Sequence, residues 1–306
     1  MNSIALQITL IALVTAAACV LPGLFLVLRG VALMSDAISH ALLPGIVIIF
    51  LVVRQLNSPF LLVGASCAGF ATVLLTEYIL QTQRLKKDAA IGLVFPLFFS
   101  IGIILISLYT RTIHLDTDMV LLGELAFAPF DRLHVLSYDL GPCALWVMGT
   151  IALCNGLFVL LFYKQLVVST FDPLFAACIG YRPVMIHYAL MLLTSMTAVG
   201  AFNVVGSILV VALMLAPPTA AFLVTDRLKP MLITSILFGL SAALLGCSCA
   251  AWADVSLAGS IAAANGLIFF FTLSCAPDKG IIASWWRRRA MRRALAQEVA
   301  QQHSVR

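Results

Sequence analysis

An aspartate and a histidine, Asp36 and His40, stand inside a long apolar stretch of the chain. Four residues make slightly more than one helical turn, so in a helix the carboxylate and the imidazole lie on the same face. A charged group near the centre of a bilayer costs about 2.5–3.5 kcal/mol on insertion scales, so such groups usually face the protein interior and serve a function. The pair offers one oxygen and one nitrogen ligand, which suit Mn²⁺, Fe²⁺ or Zn²⁺.

Two other interpretations of this pair stay open. The two groups could form a hydrogen bond that only ties helices together, or they could relay protons. Two ligands make a weak metal site, which is what a conduction path needs, because an ion held in a complete cage would not leave. Pro44 and Gly45 follow the pair. Because proline removes a helical hydrogen bond, we expect the helix to break beside the site.

A second informative stretch is STFDPLFAACIGYRP, residues 169–183. Asp172 is a good N-cap, Pro173 suits the first helical position, and Gly180 suits the position just beyond a helix end. These residues predict a short helix of about two turns between two apolar spans. A helix of this length is not stable alone in water. We therefore expect it to dock, either on the membrane surface or on a partner subunit.

The composition decides what surrounds these residues. Only 10% of the 306 residues are charged, 62% are hydrophobic, and the mean hydropathy is +1.09, whereas a soluble domain is about one quarter charged. We predict an all-α, polytopic transmembrane bundle with one membrane domain over 1–276 and a basic cytoplasmic tail over 277–306. The apolar runs long enough to cross a bilayer number about nine, at approximately 4–28, 31–53, 59–80, 89–109, 141–163, 184–203, 206–225, 231–252 and 255–276.

The basic residues predict the orientation. If successive spans alternate in direction, most lysines and arginines fall on one side of the membrane, and Arg54, Arg111 and Arg132 fall on the other. By the positive-inside rule the first side is cytoplasmic, which puts the N-terminus outside and the C-terminus inside. The net charge of +5 is then a topology signal and does not indicate nucleic-acid binding.

Three further features carry weaker expectations. The outward segment 111–142 contains an apolar core, Val120–Phe130, that is too short to cross the bilayer, so we expect a hairpin or re-entrant element. Its acidic residues could form an outer vestibule for cations or an ordinary solvated loop. Pro217 and Pro218 predict a second broken helix within 206–225. For Glu77 and His187 we expect bonding between helices or exposure at the interface.

Other patterns exclude function classes. The eight cysteines fall almost entirely within apolar runs, where cysteine behaves as a small hydrophobe, so we expect no disulfide framework. The chain has no phosphate-binding loop of the form GxxxxGK[ST] and no GxGxxG, so it is not expected to bind ATP itself. The absence of HExxH argues against a membrane metalloprotease.

Four stretches, taken in order, resemble the ABC-3 permeases, which are the membrane subunits of manganese, zinc and iron ABC importers. They are RGVALMSDAISHALLPG, LLGELAF, FDPLFAACIGYR and VGSILVVALMLAPPTAAFLVTDRL, and they extend over nearly the whole chain. The resemblance implies a type II importer fold. Two permease subunits, identical or paralogous, form the path, a cytoplasmic ATPase dimer drives it, and an extracytoplasmic metal-binding protein delivers the ion.

The resemblance also assigns residues. Asp36 and His40 match the intramembrane aspartate and histidine expected to hold the ion in transit. The segment from Phe171 through Asp172 and Pro173 to Gly180 matches the helix expected to couple the permease to its ATPase. The chain would be no enzyme itself, since ATP hydrolysis belongs to a separate subunit. It would hold no permanent cofactor and would lie in the bacterial inner membrane.

The transported metal is the least determined feature. The outer GELAF stretch is closest to the manganese and iron branch of the family, so manganese or iron is the expected cargo. A zinc-specific permease is the alternative within the family. A proton-coupled secondary metal transporter, with Asp36 and His40 as its relay, is the alternative outside it.

Overall fold

The structure is a computed structural model that describes residues 3–53, 59–109, 125–126, 128–135, 138–276 and 280. Its elements follow one another as α1 Ser3–Leu28, α2 Met34–His40, α3 Leu43–Val53, α4 Pro59–Gln81, α5 Lys87–Tyr109, β1 Arg132–Val135, β2 Tyr138–Pro142, α6 Cys143–Leu161, α7 Tyr163–Phe171, α8 Pro173–Cys178, α9 Pro183–Val205, α10 Ser207–Val224, α11 Leu228–Ala253 and α12 Leu257–Cys275. The predicted all-α bundle is confirmed.

Nine helical segments in these described ranges are long and apolar enough to cross a membrane. They are α1, α2 with α3, α4, α5, α6, α9, α10, α11 and α12. The predicted span positions are therefore confirmed, with ends that differ by a few residues.

Helix α1 forms the centre of the bundle. It packs against α6, α9, α10 and α11, and Ile11, Leu24 and Phe25 are completely buried. Helix α9 is the next most enclosed span, whereas α5, α6 and α12 leave most of their residues uncovered. Large apolar side chains on these outer helices are exposed in the isolated chain, as expected where lipid or another subunit covers them.

The second span is broken as predicted. Helix α2 ends at His40, a turn at 41–42 intervenes, and α3 begins at Leu43. Pro44 explains the break, because it has no N–H for the carbonyl of His40 and disfavours the helical conformation of the residue before it. In the first turn of α3, where an N–H would lack a helical partner anyway, proline is tolerated.

The predicted break at Pro217–Pro218 is wrong. Helix α10 continues through both prolines from Ser207 to Val224. Pro218 leaves the carbonyl of Met214 without its helical donor, but Gly23 of α1 lies directly against that carbonyl, and a Cβ at Gly23 would overlap the oxygen. Close packing of α1 against α10 covers the freed carbonyl of Met214 at this point, and membrane helices tolerate proline where neighbouring helices compensate for the lost bond.

The connection between α6 and α9 contains one helix more than expected. The fifth span was predicted to end near residue 163, with a single short helix after it, but α7 fills Tyr163–Phe171 between α6 and α8. The outer apolar core Val120–Phe130 falls largely outside the described residues, as does most of the acidic loop around it. Beyond it, β1 and β2 form an antiparallel hairpin with Val135 opposite Tyr138.

All eight cysteines are free thiols in the structure. The basic tail 277–306 lies outside the described residues except for Gly280, so its predicted cytoplasmic location stays a prediction.

Candidate metal-binding and partner-docking sites

The Asp36–His40 pair is present but loose. The Nε2 atom of His40 lies 3.4 Å from Oδ1 of Asp36 along one face of α2, longer than the usual 2.7–3.2 Å of a hydrogen bond to oxygen. The side chains are 42% exposed at Asp36 and 33% exposed at His40. Both groups therefore keep lone pairs that another partner can use.

The pair occupies the one open face of its helix. Its neighbours Met34, Ser35, Ala37, Ile38 and Ser39 are all buried against the rest of the bundle. The imidazole of His40 lies beside two rings of α5, with centroid distances of 6.0 Å to Phe95 and 6.3 Å to Phe99. The two ligands thus project from α2 next to an aromatic wall, on a surface that the isolated chain leaves uncovered.

One chain supplies an incomplete metal site at this position. Within the described residues, no group of three or more His, Cys, Asp and Glu side chains could hold a metal ion. The carbonyl of His40 is a further candidate ligand, because Pro44 cannot donate to it, and carbonyl oxygen suits the harder divalent ions. A complete site therefore needs donors beyond this part of the chain, such as water or a second subunit.

The short helix α8 forms as its sequence predicts. The Asp172 side chain accepts a hydrogen bond of 2.9 Å from the N–H of Phe175 and so caps α8. At the other end, Gly180 adopts φ = +87°, and the N–H of Tyr181 donates to the carbonyl of Ala176 at 3.0 Å. This is the Schellman arrangement, which a glycine at this position makes possible without strain.

One face of this helix is apolar and uncovered. The exposed fraction is 80% for Leu174, 62% for Phe171 and 54% for Phe175, and Ile179 is also exposed. Only Ala176 of the helix is buried. Since burying a large apolar side chain is worth about 1.5–3 kcal/mol, such a cluster at the end of a membrane bundle indicates a surface that another body covers.

A second carboxylate–imidazole pair joins two helices. The Oε1 atom of Glu77 in α4 lies 2.9 Å from Nε2 of His187 in α9, and each side chain is 22% exposed. The expectation of interhelical bonding is therefore confirmed for this pair. Sequence reasoning had not paired the two residues, because they are far apart along the chain and no motif connects them.

Arg29 forms a hydrogen-bonded network with Glu77 and His187. Its Nη1 atom lies 2.9 Å from Nδ1 of His187. Because a guanidinium can only donate, Nδ1 must accept, so the proton of the neutral ring sits on Nε2 and is donated to Glu77. Both ring nitrogens of His187 are thus already engaged, unlike those of His40.

The same guanidinium reaches the segment that leads into the short helix. Its Nη2 donates to Oγ of Ser169 at 3.1 Å, and its Nε donates to Oγ1 of Thr170 at 3.3 Å. Burial lowers the pKa of Arg29 to about 10, an effect that the Glu77 carboxylate opposes. The guanidinium stays charged at neutral pH. Sequence analysis had used Arg29 only as one of the basic residues that predict the orientation of the chain. The glycine that follows it, Gly30, was the one local signal, because glycine is typical of the position just after a helix end.

Comparison with known proteins identifies the family of this chain. The profile of the ABC 3 transport family matches residues 1–276. The zinc transport system membrane protein TroD of Treponema pallidum is 45% identical over 291 residues, which cover 95% of this chain and 78% of TroD. The manganese transport system membrane protein MntD of Bacillus subtilis is 40% identical over 278 residues, which cover 91% of this chain and 94% of MntD.

A solved structure agrees with these relatives. PsaBC from Streptococcus pneumoniae, in complex with Fab, aligns with a TM-score of 0.74 and 29% identity, over 91% of this chain and 94% of the matched chain. The resemblance drawn from the four sequence stretches is therefore confirmed. This multi-pass membrane protein belongs to the ABC 3 transport family and is one of its permeases.

Proposed function

We propose that this chain is the membrane permease of an ATP-driven importer for divalent transition metal ions, and that Asp36 and His40 hold the ion in transit. The observation that carries the proposal is the open Asp36–His40 face of α2, where two metal-ligating side chains are only 3.4 Å apart and keep unused lone pairs. Family membership supplies the context of active transport.

A second permease subunit completes the path in this proposal. One chain offers two side-chain ligands on an uncovered face, so two copies, or a copy and a paralogue, that meet across α2 and α5 would offer four. Four mixed oxygen and nitrogen ligands suit Mn²⁺, Fe²⁺ or Zn²⁺. The bond to each ligand remains exchangeable, because no single chain holds a closed cage, and the ion can leave inward.

The ATPase is proposed to dock on α8. Its apolar face, with Phe171, Leu174 and Phe175 exposed, needs a partner of matching apolar surface, and Asp172, Pro173 and Gly180 hold its two ends in shape. The ATPase dimer would act from the cytoplasm, with the N-terminus of the permease outside and its C-terminus inside. An extracytoplasmic metal-binding protein would deliver the ion to the opposite face.

The mechanism is alternating access without covalent chemistry on this chain. The delivered ion enters from outside, pauses at Asp36 and His40, and leaves when ATP-driven movement of α8 opens the inner side. Manganese is the first cargo to test, with iron beside it, since the outer GELAF stretch favours that branch and MntD is named for manganese. Zinc is the second candidate, because TroD is named for zinc.

Uptake in a metal-starved strain that lacks its own transporters tests the transit site. The strain carries the complete importer, and accumulation of radioactive manganese, iron and zinc is compared. We expect Asp36→Ala and His40→Ala to abolish uptake while the complex still assembles. Ser39→Ala is the matched control, since its buried hydroxyl only bonds the carbonyl of Ser35. Wild-type uptake in either site variant would contradict the assignment.

The energy source separates the importer from the proton-coupled alternative. We expect uptake to require the ATPase subunit and to stop with vanadate. Uptake by the chain alone that follows a pH gradient and ignores vanadate would favour the secondary transporter instead.

Variants of α8 test the docking surface. Asp172→Ala removes a cap worth about 1 kcal/mol, and Ala176→Pro disrupts the helix by about 3 kcal/mol. We expect both to weaken co-purification of the ATPase, the proline more strongly. Unchanged co-purification together with unchanged stimulated ATP turnover would contradict the docking role.

A further inference from the structure

The backbone of Arg29 fixes the start of the metal-bearing span. Arg29 follows the last residue of α1, Gly30 takes φ = +65°, and the N–H of Val31 donates to the carbonyl of Leu26 at 3.0 Å. This Schellman closure ties the chain just after Arg29 to the end of α1. Only three residues, 31–33, then separate the closure from α2, which carries Asp36 and His40.

The carbonyl of Arg29 reaches the aromatic wall of the same site. It accepts a hydrogen bond of 2.9 Å from Nζ of Lys87, the first residue of α5. Helix α5 carries Phe95 and Phe99, the two rings beside His40. The main chain of Arg29 therefore connects to both helices that flank the candidate metal ligands.

The side chain of Arg29 points to the other functional region. Through Ser169 and Thr170 it holds the last turn of α7, directly before Asp172 and α8. Through His187 and Glu77 it is also braced against α9 and α4. The network lies on the wall of an open cleft of about 850 Å³. These contacts are polar and directional, so they can break and re-form without opening a packed core.

We propose that Arg29 is a positioning residue that passes movement of α8 to α2 and α5, and so links ATPase docking to the geometry of the Asp36–His40 pair. This inference rests on the proposed function. Arginine suits the role because its planar fork contacts three groups in fixed directions at once, which lysine cannot do. The competing explanation is a network that only stabilises the fold.

The test is the number of metal ions moved per ATP hydrolysed. The complete importer is purified, reconstituted in vesicles with its binding protein, and supplied with Mn²⁺ and ATP. A purely structural role lowers transport and hydrolysis together and leaves this ratio unchanged. We expect Arg29→Ala to lower the ratio about tenfold, within the usual range for coupled sites, and Arg29→Lys to lower it less.

Two more variants keep the test decisive if Arg29→Ala does not assemble. The double variant Ser169→Ala with Thr170→Ala leaves Arg29 in place but removes its acceptors beside α8, and we expect it to lower the ratio as well. Arg227→Ala is the matched control, because this exposed arginine stands before α11 at another helix start, and we expect a wild-type ratio.

The outcomes separate the two proposals. A wild-type ratio in the double variant and in Arg29→Lys overturns the role of Arg29 while leaving the importer intact. A wild-type complex that hydrolyses ATP but moves no metal overturns the proposed function and this inference with it.

Discussion

Two carboxylate–imidazole pairs in the described part of the chain have opposite properties. Asp36 and His40 lie on one helix, 3.4 Å apart, on an uncovered face. Glu77 and His187 join two helices at 2.9 Å, and Arg29 occupies the remaining ring nitrogen. The chemical groups are nearly the same. What differs is whether their lone pairs are free, which decides between a site that can accept an ion and a network that holds helices together.

The largest expected difference between the pairs is in metal affinity. In the assembled complex, His40→Ala should weaken Mn²⁺ binding about 100-fold or more, since even the partners of metal ligands are worth about 10- to 100-fold. His187→Ala should leave the affinity almost unchanged, because both nitrogens of that ring are already in use. Competition against a fluorescent Mn²⁺ chelator measures both. Equal losses of Mn²⁺ affinity in His40→Ala and His187→Ala would contradict this difference between the two pairs.

For the stability of the fold we expect the reverse order, with the larger effect at the Glu77–His187 pair. Glu77→Ala leaves Nε2–H of His187 without its acceptor in a partly buried network and removes the carboxylate charge that balances Arg29, so we expect a loss of about 1–3 kcal/mol. Asp36→Ala removes an exposed, loosely held carboxylate and should change stability by no more than about 0.5 kcal/mol. Thermal unfolding of the detergent-solubilised permease compares the two. A larger loss for Asp36→Ala would show that the metal-site pair is the structural one.

Glu77→Gln separates the charge of Glu77 from its hydrogen bond. Glu77→Gln keeps an oxygen that can accept from His187 but removes the charge that balances Arg29. We expect a smaller loss than for alanine, about 1 kcal/mol, seen in the same unfolding measurement. If glutamine and alanine destabilise equally, charge balance and not the hydrogen bond holds the network.

Local patterns in the sequence were enough to predict most of the fold. Apolar runs of bilayer length predicted the nine spans, and Pro44 predicted the break after His40, because both effects act within a few residues. The cap at Asp172 and the turn at Gly180 likewise followed from single residues with strong preferences.

The parts that sequence reasoning missed depend on contacts between distant segments. Helix α10 continues through Pro217 and Pro218, and Gly23 of another helix packs against the freed carbonyl of Met214, a contact that no local pattern indicates. The bonds of Arg29 to His187 and Ser169 connect residues more than a hundred positions apart. The spacing of Asp36 and His40 was visible in the sequence. That both side chains lie on the uncovered face of α2 could be seen only from the way α2 packs in the bundle.

The most direct test of the central claim is pulsed electron paramagnetic resonance on Mn²⁺ bound to the assembled complex. An imidazole nitrogen that coordinates Mn²⁺ directly modulates the electron spin echo of the ion. We predict that this nitrogen modulation is present in the wild type and in His187→Ala and is lost in His40→Ala. Nitrogen modulation that persists unchanged in His40→Ala would contradict the claim that His40 holds the transported ion.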